Sequence, residues 1–265
     1  MQRVFTPSGT SVSYERCGKG PALVLVHGSF SDHVTNWEFV KPFFEQQFTV
    51  YAIARRGRGE TDATEGHSLE DEANDVVAVI RSIGEPVLLL GHSYGAQTAL
   101  AAAAKIPRRI RKLVLYEPAW PNLLDPKVFA RLGEFARAGK WDDLAVAFFR
   151  DGLAVPLKDL DEVRASELWA PIVADAPASF RDLQALAAYD FKVERFRDLH
   201  VPVMLQIGTE SARHLYATDA LAATLPDVCI QLLPGQAHEG MTTAPQMYAG
   251  SVFRFLLPAE VELAA

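Results

Sequence analysis

The sequence holds few of the residues that build metal and redox sites. Its 265 residues include two cysteines, Cys17 and Cys229, which lie too far apart to make a CxxC pair, so thiolate metal motifs and dithiol redox motifs are excluded. Both thiols are read as small buried hydrophobes. An excess of positive charge is also missing. Lys and Arg number 26 against 33 Asp and Glu, a net charge of −7, which argues against nucleic acid or an anionic membrane as partner. No apolar run approaches the roughly 18 residues of a membrane span, and residues 1–20 form a mixed, polar stretch without the apolar core of a signal peptide. A soluble, cytoplasmic protein is the expectation. Repeats, low-complexity tracts and disordered linkers are absent as well. Arg55, Arg56 and Arg58 form one tight basic cluster, and Arg108, Arg109, Arg111 and Lys112 a looser one; both are read as solvated rims beside strands.

What the chain does have is an apolar content of 49%, enough for one sizeable domain or a core carrying an insertion. Short apolar runs alternate with helical stretches. Residues 22–27 and 48–54 are continuous apolar runs of the kind found in strands buried on both faces. Residues 87–90, 113–116 and 201–207 repeat the type, residues 228–233 close the set, and residues 12–16 form an earlier strand. Ser68-Leu69-Glu70-Asp71 opens a helix with a capping-box pattern, and Gly84 closes it. Further helices are expected over 97–105, 215–225 and 244–256. Strands separated by helices imply parallel βαβ units, hence an α/β fold with a mostly parallel sheet covered on both faces. Residues 121–199 break the rhythm. They contain helical patches at 127–138 and 141–150, no convincing core strand, and three prolines, Pro156, Pro171 and Pro177, that divide them. The expected organisation is a core of residues 1–119 and 200–265 with a helical cap, residues 120–199, inserted between two strands.

Three motifs carry chemistry. Gly91-His92-Ser93-Tyr94-Gly95 fits G-x-S-x-G and lies between an apolar strand and an alanine-rich helix. A sharp turn there lifts the Ser93 hydroxyl above the sheet, and the flanking glycines allow close backbone approach. Ser93 is therefore the candidate nucleophile. His27-Gly28-Ser29-Phe30 follows an earlier strand, where the backbone N–H of Ser29 joins that of Tyr94 as a candidate oxyanion hole. His27 is read as holding this loop, the Ser29 hydroxyl as incidental, and His92 as packing inside the elbow. Gly235-Gln236-Ala237-His238-Glu239 follows the last strand, so His238 is the candidate general base.

This series, together with Arg56-Gly57-Arg58-Gly59, resembles the α/β-hydrolase superfamily over nearly the whole chain. The resemblance implies the order nucleophile, acid, histidine. Relatives often carry an aspartate where this chain has Ala54, which removes a loop-fixing contact. The resemblance leaves two places for the acid. The usual one follows the strand after the insertion, where Gly208-Thr209-Glu210-Ser211 has a serine at the expected position and Glu210 one early. The other, as in haloalkane dehalogenases, follows the preceding strand, where Glu117 stands at the tip. Glu117 is preferred, because a carboxylate after four apolar residues and before a proline is partly buried and needs a partner. Glu210 is second and Asp219 third.

A serine in the elbow is incompatible with the aspartate-nucleophile chemistry of dehalogenases and epoxide hydrolases. What the resemblance leaves is acyl transfer through an acyl-enzyme, most simply hydrolysis of a small or medium apolar carboxylic ester, with no cofactor and no metal. Trp120, Phe129, Phe135, Trp141, Phe148, Phe149, Trp169 and Phe180 supply apolar surface for a small-molecule pocket. Lactone, thioester or C–C hydrolysis, perhydrolysis and hydroxynitrile lysis remain open on the same scaffold. So does a ligand-binding or signalling protein with little turnover. The oligomeric state is not legible.

Overall fold

Apolar runs too short for helices become strands buried on both faces. In the computed structural model, which describes residues 1–63 and 66–257, β3 (Ala22–Val26), β4 (Thr49–Ile53), β5 (Val87–His92) and β7 (Val203–Gly208) are buried along their whole length. With β1 (Gln2–Phe5), β2 (Ser11–Gly18), β6 (Ile110–Tyr116) and β8 (Val228–Leu233) they form one eight-stranded sheet, in the order β1-β2-β4-β3-β5-β6-β7-β8. The pairs β1–β2 and β2–β4 are antiparallel and the rest are parallel. This is the α/β-hydrolase fold.

Helices cover both faces, as continuous apolar strands require. One face packs against α2 (Leu69–Ile83), α3 (Tyr94–Lys105) and α8 (Thr218–Thr224). The other packs against α1 (Lys41–Phe44), the single-turn α9 (Gly240–Thr243) and α10 (Pro245–Leu256). The start of α2 is as the sequence implies: the Ser68 side chain accepts from the Asp71 N–H, Asp71 accepts from the Ser68 N–H, and Gly84 ends the helix with φ 85°.

Between β6 and β7 the chain makes α4 (Pro126–Arg137), α5 (Trp141–Ala147), α6 (Leu157–Arg164) and α7 (Trp169–Ala187). These helices share an apolar cluster of their own around Leu132, Leu144, Phe148, Leu160 and Leu183, to which Phe30 from the β3–α1 loop contributes. The end of α7, through Ala185 and Leu186, packs into the main core. No helix among the described residues is long and apolar enough to cross a membrane.

Several expectations are corrected. Pro171 and Pro177 do not divide the insertion, since both lie within α7. Pro171 falls in the first turn, where an amide has no helical acceptor to lose, and Pro177 is accommodated inside a helix that continues to Ala187. β1 was not expected; its residues are mostly exposed, so no apolar run marks it. Cys229 is exposed and Cys17 only half-buried, so neither is a core hydrophobe. The largest correction concerns Arg55, Arg56 and Arg58, which are buried, not solvated. Arg108 and Arg111 are exposed as expected. The second core segment runs to residue 265, of which 258–265 lie outside the described residues.

Ser68→Ala removes one half of the capping box on α2. It is expected to lower the unfolding free energy by about 1 kcal/mol in a denaturant titration, with the slope unchanged.

Candidate active site

β5 runs directly into α3, and the residue at the corner, Ser93, has φ 56° and ψ −121°. This is a strained conformation for a residue with a Cβ, held only because the surroundings over-determine it. The surroundings here are glycines. A Cβ on Gly91 would lie 2.5 Å from the Gly95 carbonyl oxygen and 2.7 Å from the Ala96 Cα. One on Gly95 would run into the carbonyls of Val26 and His27. The Ser93 N–H donates to the Tyr116 carbonyl at 2.9 Å, tying the corner to β6. The His27–Phe30 loop passes beside it: a Cβ on Gly28 would stand 3.2 Å from the Ser93 Cβ. No hydrogen bond engages the N–H of Ser29 or Tyr94 among the described residues.

On the other side of the corner, His238 and Glu117 meet. His238 Nδ1 lies 2.5 Å from Glu117 Oε2, and the second carboxylate oxygen accepts from the Gly208 N–H at 2.8 Å. Glu117 is fully buried and holds φ 47°, a second strained position. Glu210 is exposed and bonded to Thr209, and Asp219 is exposed and paired with Arg213. Of the three carboxylates considered, the structure thus brings Glu117 to the histidine. The Ser93 hydroxyl and the His238 ring are not hydrogen-bonded to each other among the described residues. Burial works against a charge on His238, but the bond to Glu117 outweighs it, aided by the charges of Glu117 and Glu239, and raises the imidazole above its ordinary pKa.

The histidine loop has its own supports. The Tyr116 hydroxyl donates to the Ala237 carbonyl and accepts from the Gly240 N–H, bracketing His238. Gly208 must be glycine, because a Cβ there would collide with the Gln236 carbonyl. Tyr216 lies nearly parallel to the His238 ring, 5.1 Å between centroids and 13° between planes. His92 packs as expected, with its nitrogens 3.1 Å from Asn36 Oδ1 and from the His238 carbonyl. Burial, followed by the nearby His238 charge, drives its pKa well below the ordinary value. Tyr216, Tyr116 and Gly208 had no motif to mark them in the sequence.

Under the Ser29 loop lies a buried charge network. Arg55 grips both oxygens of Asp182 on α7 (3.1 and 2.7 Å) and also reaches Glu72 at 2.9 Å. Arg58 grips the same Asp182 (2.9 and 2.7 Å) together with Asp175. Arg56 pairs with Asp75 on α2 at 2.6 Å. These bonds fix the loop that lacks an aspartate at position 54. Burial opposes ionisation of Asp182, yet Arg55 and Arg58 prevail and hold it far below the usual carboxylate range. The Ser29 hydroxyl donates to Asp182 at 2.9 Å, so it is anchored and not incidental. His27 holds the loop as expected, Nδ1 donating to the Gly28 carbonyl and Nε2 accepting from the Arg55 N–H. Its pKa is driven well down by burial and then by the charges of Arg55 and Arg58. His67, Glu72 and Asp182 converge closely enough to suggest a metal cage, but the carboxylates already bind Arg55, Arg58 and Tyr94.

The aromatics of the insertion divide between roles. Phe148 stacks on Phe30 at 4.4 Å and Phe149 tilts against it at 5.3 Å, next to Ser29. Trp120 packs edge-on against Phe191, and Phe129 stacks on Phe180.

The model of the alpha/beta hydrolase family matches residues 23–251, and the chain belongs to that family. It is 27% identical to a 2-(acetamidomethylene)succinate hydrolase of Mesorhizobium japonicum over 90% of this chain and 89% of that protein. Among solved structures, an alpha/beta hydrolase from Sphaerobacter thermophilus superposes with a TM-score of 0.83 at 28% identity, covering 97% of this chain and all of that one. The enol-lactonase of Burkholderia xenovorans shares the fold, with a TM-score of 0.81 at 20% identity over 96% and 99% of the two chains.

The raised pKa of His238 can be read by following its ring protons through a pH titration by NMR. The midpoint is expected above the ordinary imidazole value of 6.5 and below the wild-type midpoint in Glu117→Gln. Because the folded value is raised, this titration stabilises the fold fully below the unfolded value, and the stabilisation is lost as pH rises through the folded value.

Proposed function

We propose that this member of the alpha/beta hydrolase family is a serine hydrolase of carboxylic esters of small to medium size. Ser93 is its nucleophile, His238 its general base and then acid, and Glu117 the carboxylate that orients the imidazole. The N–H groups of Ser29 and Tyr94 form the oxyanion hole, and residues 120–199 act as a cap over the strand ends. The observation that carries this reading is the 2.5 Å contact between His238 and Glu117 beside a serine held at φ 56° between two obligatory glycines.

The chemistry runs as acyl transfer. His238 Nε2 takes the Ser93 proton as the oxygen attacks the ester carbonyl. The bond from Nδ1 to Glu117 keeps the proton on Nδ1, leaves Nε2 free to accept, and balances the imidazolium that forms. Charge developing on the carbonyl oxygen meets the two N–H groups and the positive end of α3. Collapse of the tetrahedral adduct expels the alcohol, which receives the proton from His238. Water, deprotonated by the same nitrogen, then releases the acid and restores Ser93. A protein of the same fold is named an enol-lactonase, so lactones belong in the substrate screen. Phe148 and Phe149, packed on Phe30, the residue after Ser29, favour an apolar acyl group.

Turnover of p-nitrophenyl esters tests the reading. Ser93→Ala is expected to lower kcat by about 10⁶-fold and Glu117→Gln by roughly 10⁴-fold, with Glu210→Gln near wild type. The rate should rise with pH as His238 deprotonates. No turnover and no covalent labelling of Ser93 by a fluorophosphonate would favour a ligand-binding role. A crippled Glu210→Gln beside an active Glu117→Gln would overturn the assignment of the acid.

A further inference from the structure

We propose that Asp182, on helix α7 of the insertion, is a positioning residue for the Ser29 N–H, so that seating the insertion and completing the oxyanion hole are a single event. This rests on the oxyanion role given to Ser29 above.

The Gly28 N–H and the Ser31 hydroxyl of the Ser29 loop bond Asn36 Oδ1, and three further tethers hold the loop. The Ser29 hydroxyl donates to Asp182 Oδ2 at 2.9 Å. The Phe30 N–H, from a residue at φ 57°, donates to the hydroxyl of Ser179, one turn before Asp182 on the same helix. The Gly28 carbonyl accepts from Arg55 Nη2 at 2.8 Å and from His27 Nδ1 at 2.7 Å. The last tether sets direction. In a trans peptide the C=O of residue 28 and the N–H of residue 29 point opposite ways, and no cis bond occurs among the described residues. Pinning the Gly28 oxygen on Arg55 therefore aims the Ser29 N–H away from Arg55.

Arg55 can do this because Asp182 holds its guanidinium by both oxygens. The same guanidinium lies 4.5 Å from the centre of the Tyr94 ring and bonds Glu72, which accepts from the Tyr94 hydroxyl at 3.0 Å. Both residues assigned to the oxyanion hole thus hang on one arginine, and that arginine is fixed by a carboxylate from the insertion. Lifting α7 removes Asp182 and Ser179 together. Two of the tethers go with them, and Arg55 is left on Glu72 and the His27 carbonyl without its two-oxygen grip.

The test uses Asp182→Asn, Ser29→Ala and Ser29→Thr in the full chain. Asp182→Asn and Ser29→Ala are expected to speed amide hydrogen exchange over residues 27–36 while the elbow, 87–105, exchanges as in wild type. In ester turnover, Ser29→Ala is expected to lower kcat by about 10- to 100-fold, the size of effect that misplacing a reacting group produces. KM and the pH of the acidic limb should stay unchanged, because the Glu117–His238 pair is untouched, and Ser29→Thr should restore kcat. Wild-type exchange over 27–36 in either of the first two variants overturns the proposal, whether or not the protein turns over esters. So does a wild-type kcat in Ser29→Ala, or a loss that Ser29→Thr does not repair. Wild-type protein without Ser93-dependent turnover would remove the proposed function instead, and the exchange arm would still decide the coupling.

Discussion

The bidentate pairing of Arg55 with Asp182 joins two parts of the chain that share no strand, and the region around Ser93 is arranged on it. Both side chains are essentially fully buried. Removing one partner of such a pair costs roughly 3–5 kcal/mol, because the survivor is left charged in a poor solvent. The cost makes the pairing a register. Apolar contacts between α7 and the rest of the chain tolerate small slips, whereas a guanidinium fork facing a carboxylate does not. Arg58 repeats the device with Asp175 and Asp182, so the position of α7 is specified twice.

The charges on the two sides of Ser93 differ in kind. On the Ser29 side, Arg55 and Asp182 each favour the charged form of the other and hold a loop still. On the other side, the bond to Glu117 favours the protonated form of His238. Three histidines crowd this region, and burial alone would make all of them neutral. His27 and His92 follow that rule and act as fixed hydrogen-bonding struts. His238 departs from it because Glu117 is its direct partner. Of the three rings, His238 alone has its protonated form favoured.

Features encoded within a few residues were legible in the sequence. The capping box at Ser68, the helix stop at Gly84 and the strand–elbow–helix around Ser93 all occur as read. The preference for Glu117 over Glu210 also came from local context, a carboxylate at the tip of an apolar strand, and Glu117 is the one in contact with His238. Features made by residues distant in the chain were not legible. Arg55 meets Glu72 17 positions away and Asp182 127 positions away, so three arginines within four residues read as a solvated rim. Asp182 was further hidden because Pro171 and Pro177 made its helix read as broken. β1 escaped for the opposite reason, since an exposed edge strand has no apolar signature.

The backbone at position 93 also limits which side chains can stand there. With φ at 56°, branching at Cβ is strongly disfavoured, and the Cβ of Ser93 already faces Gly28 closely. Threonine is therefore shut out of the corner. Cysteine and aspartate, unbranched at Cβ and close to serine in size, are not. A lineage carrying this turn can exchange the Ser93 hydroxyl for a thiol or a carboxylate by altering one codon, without rebuilding the loop. The chemistry of the fold can change in single steps along that route, while a secondary alcohol stays out of reach.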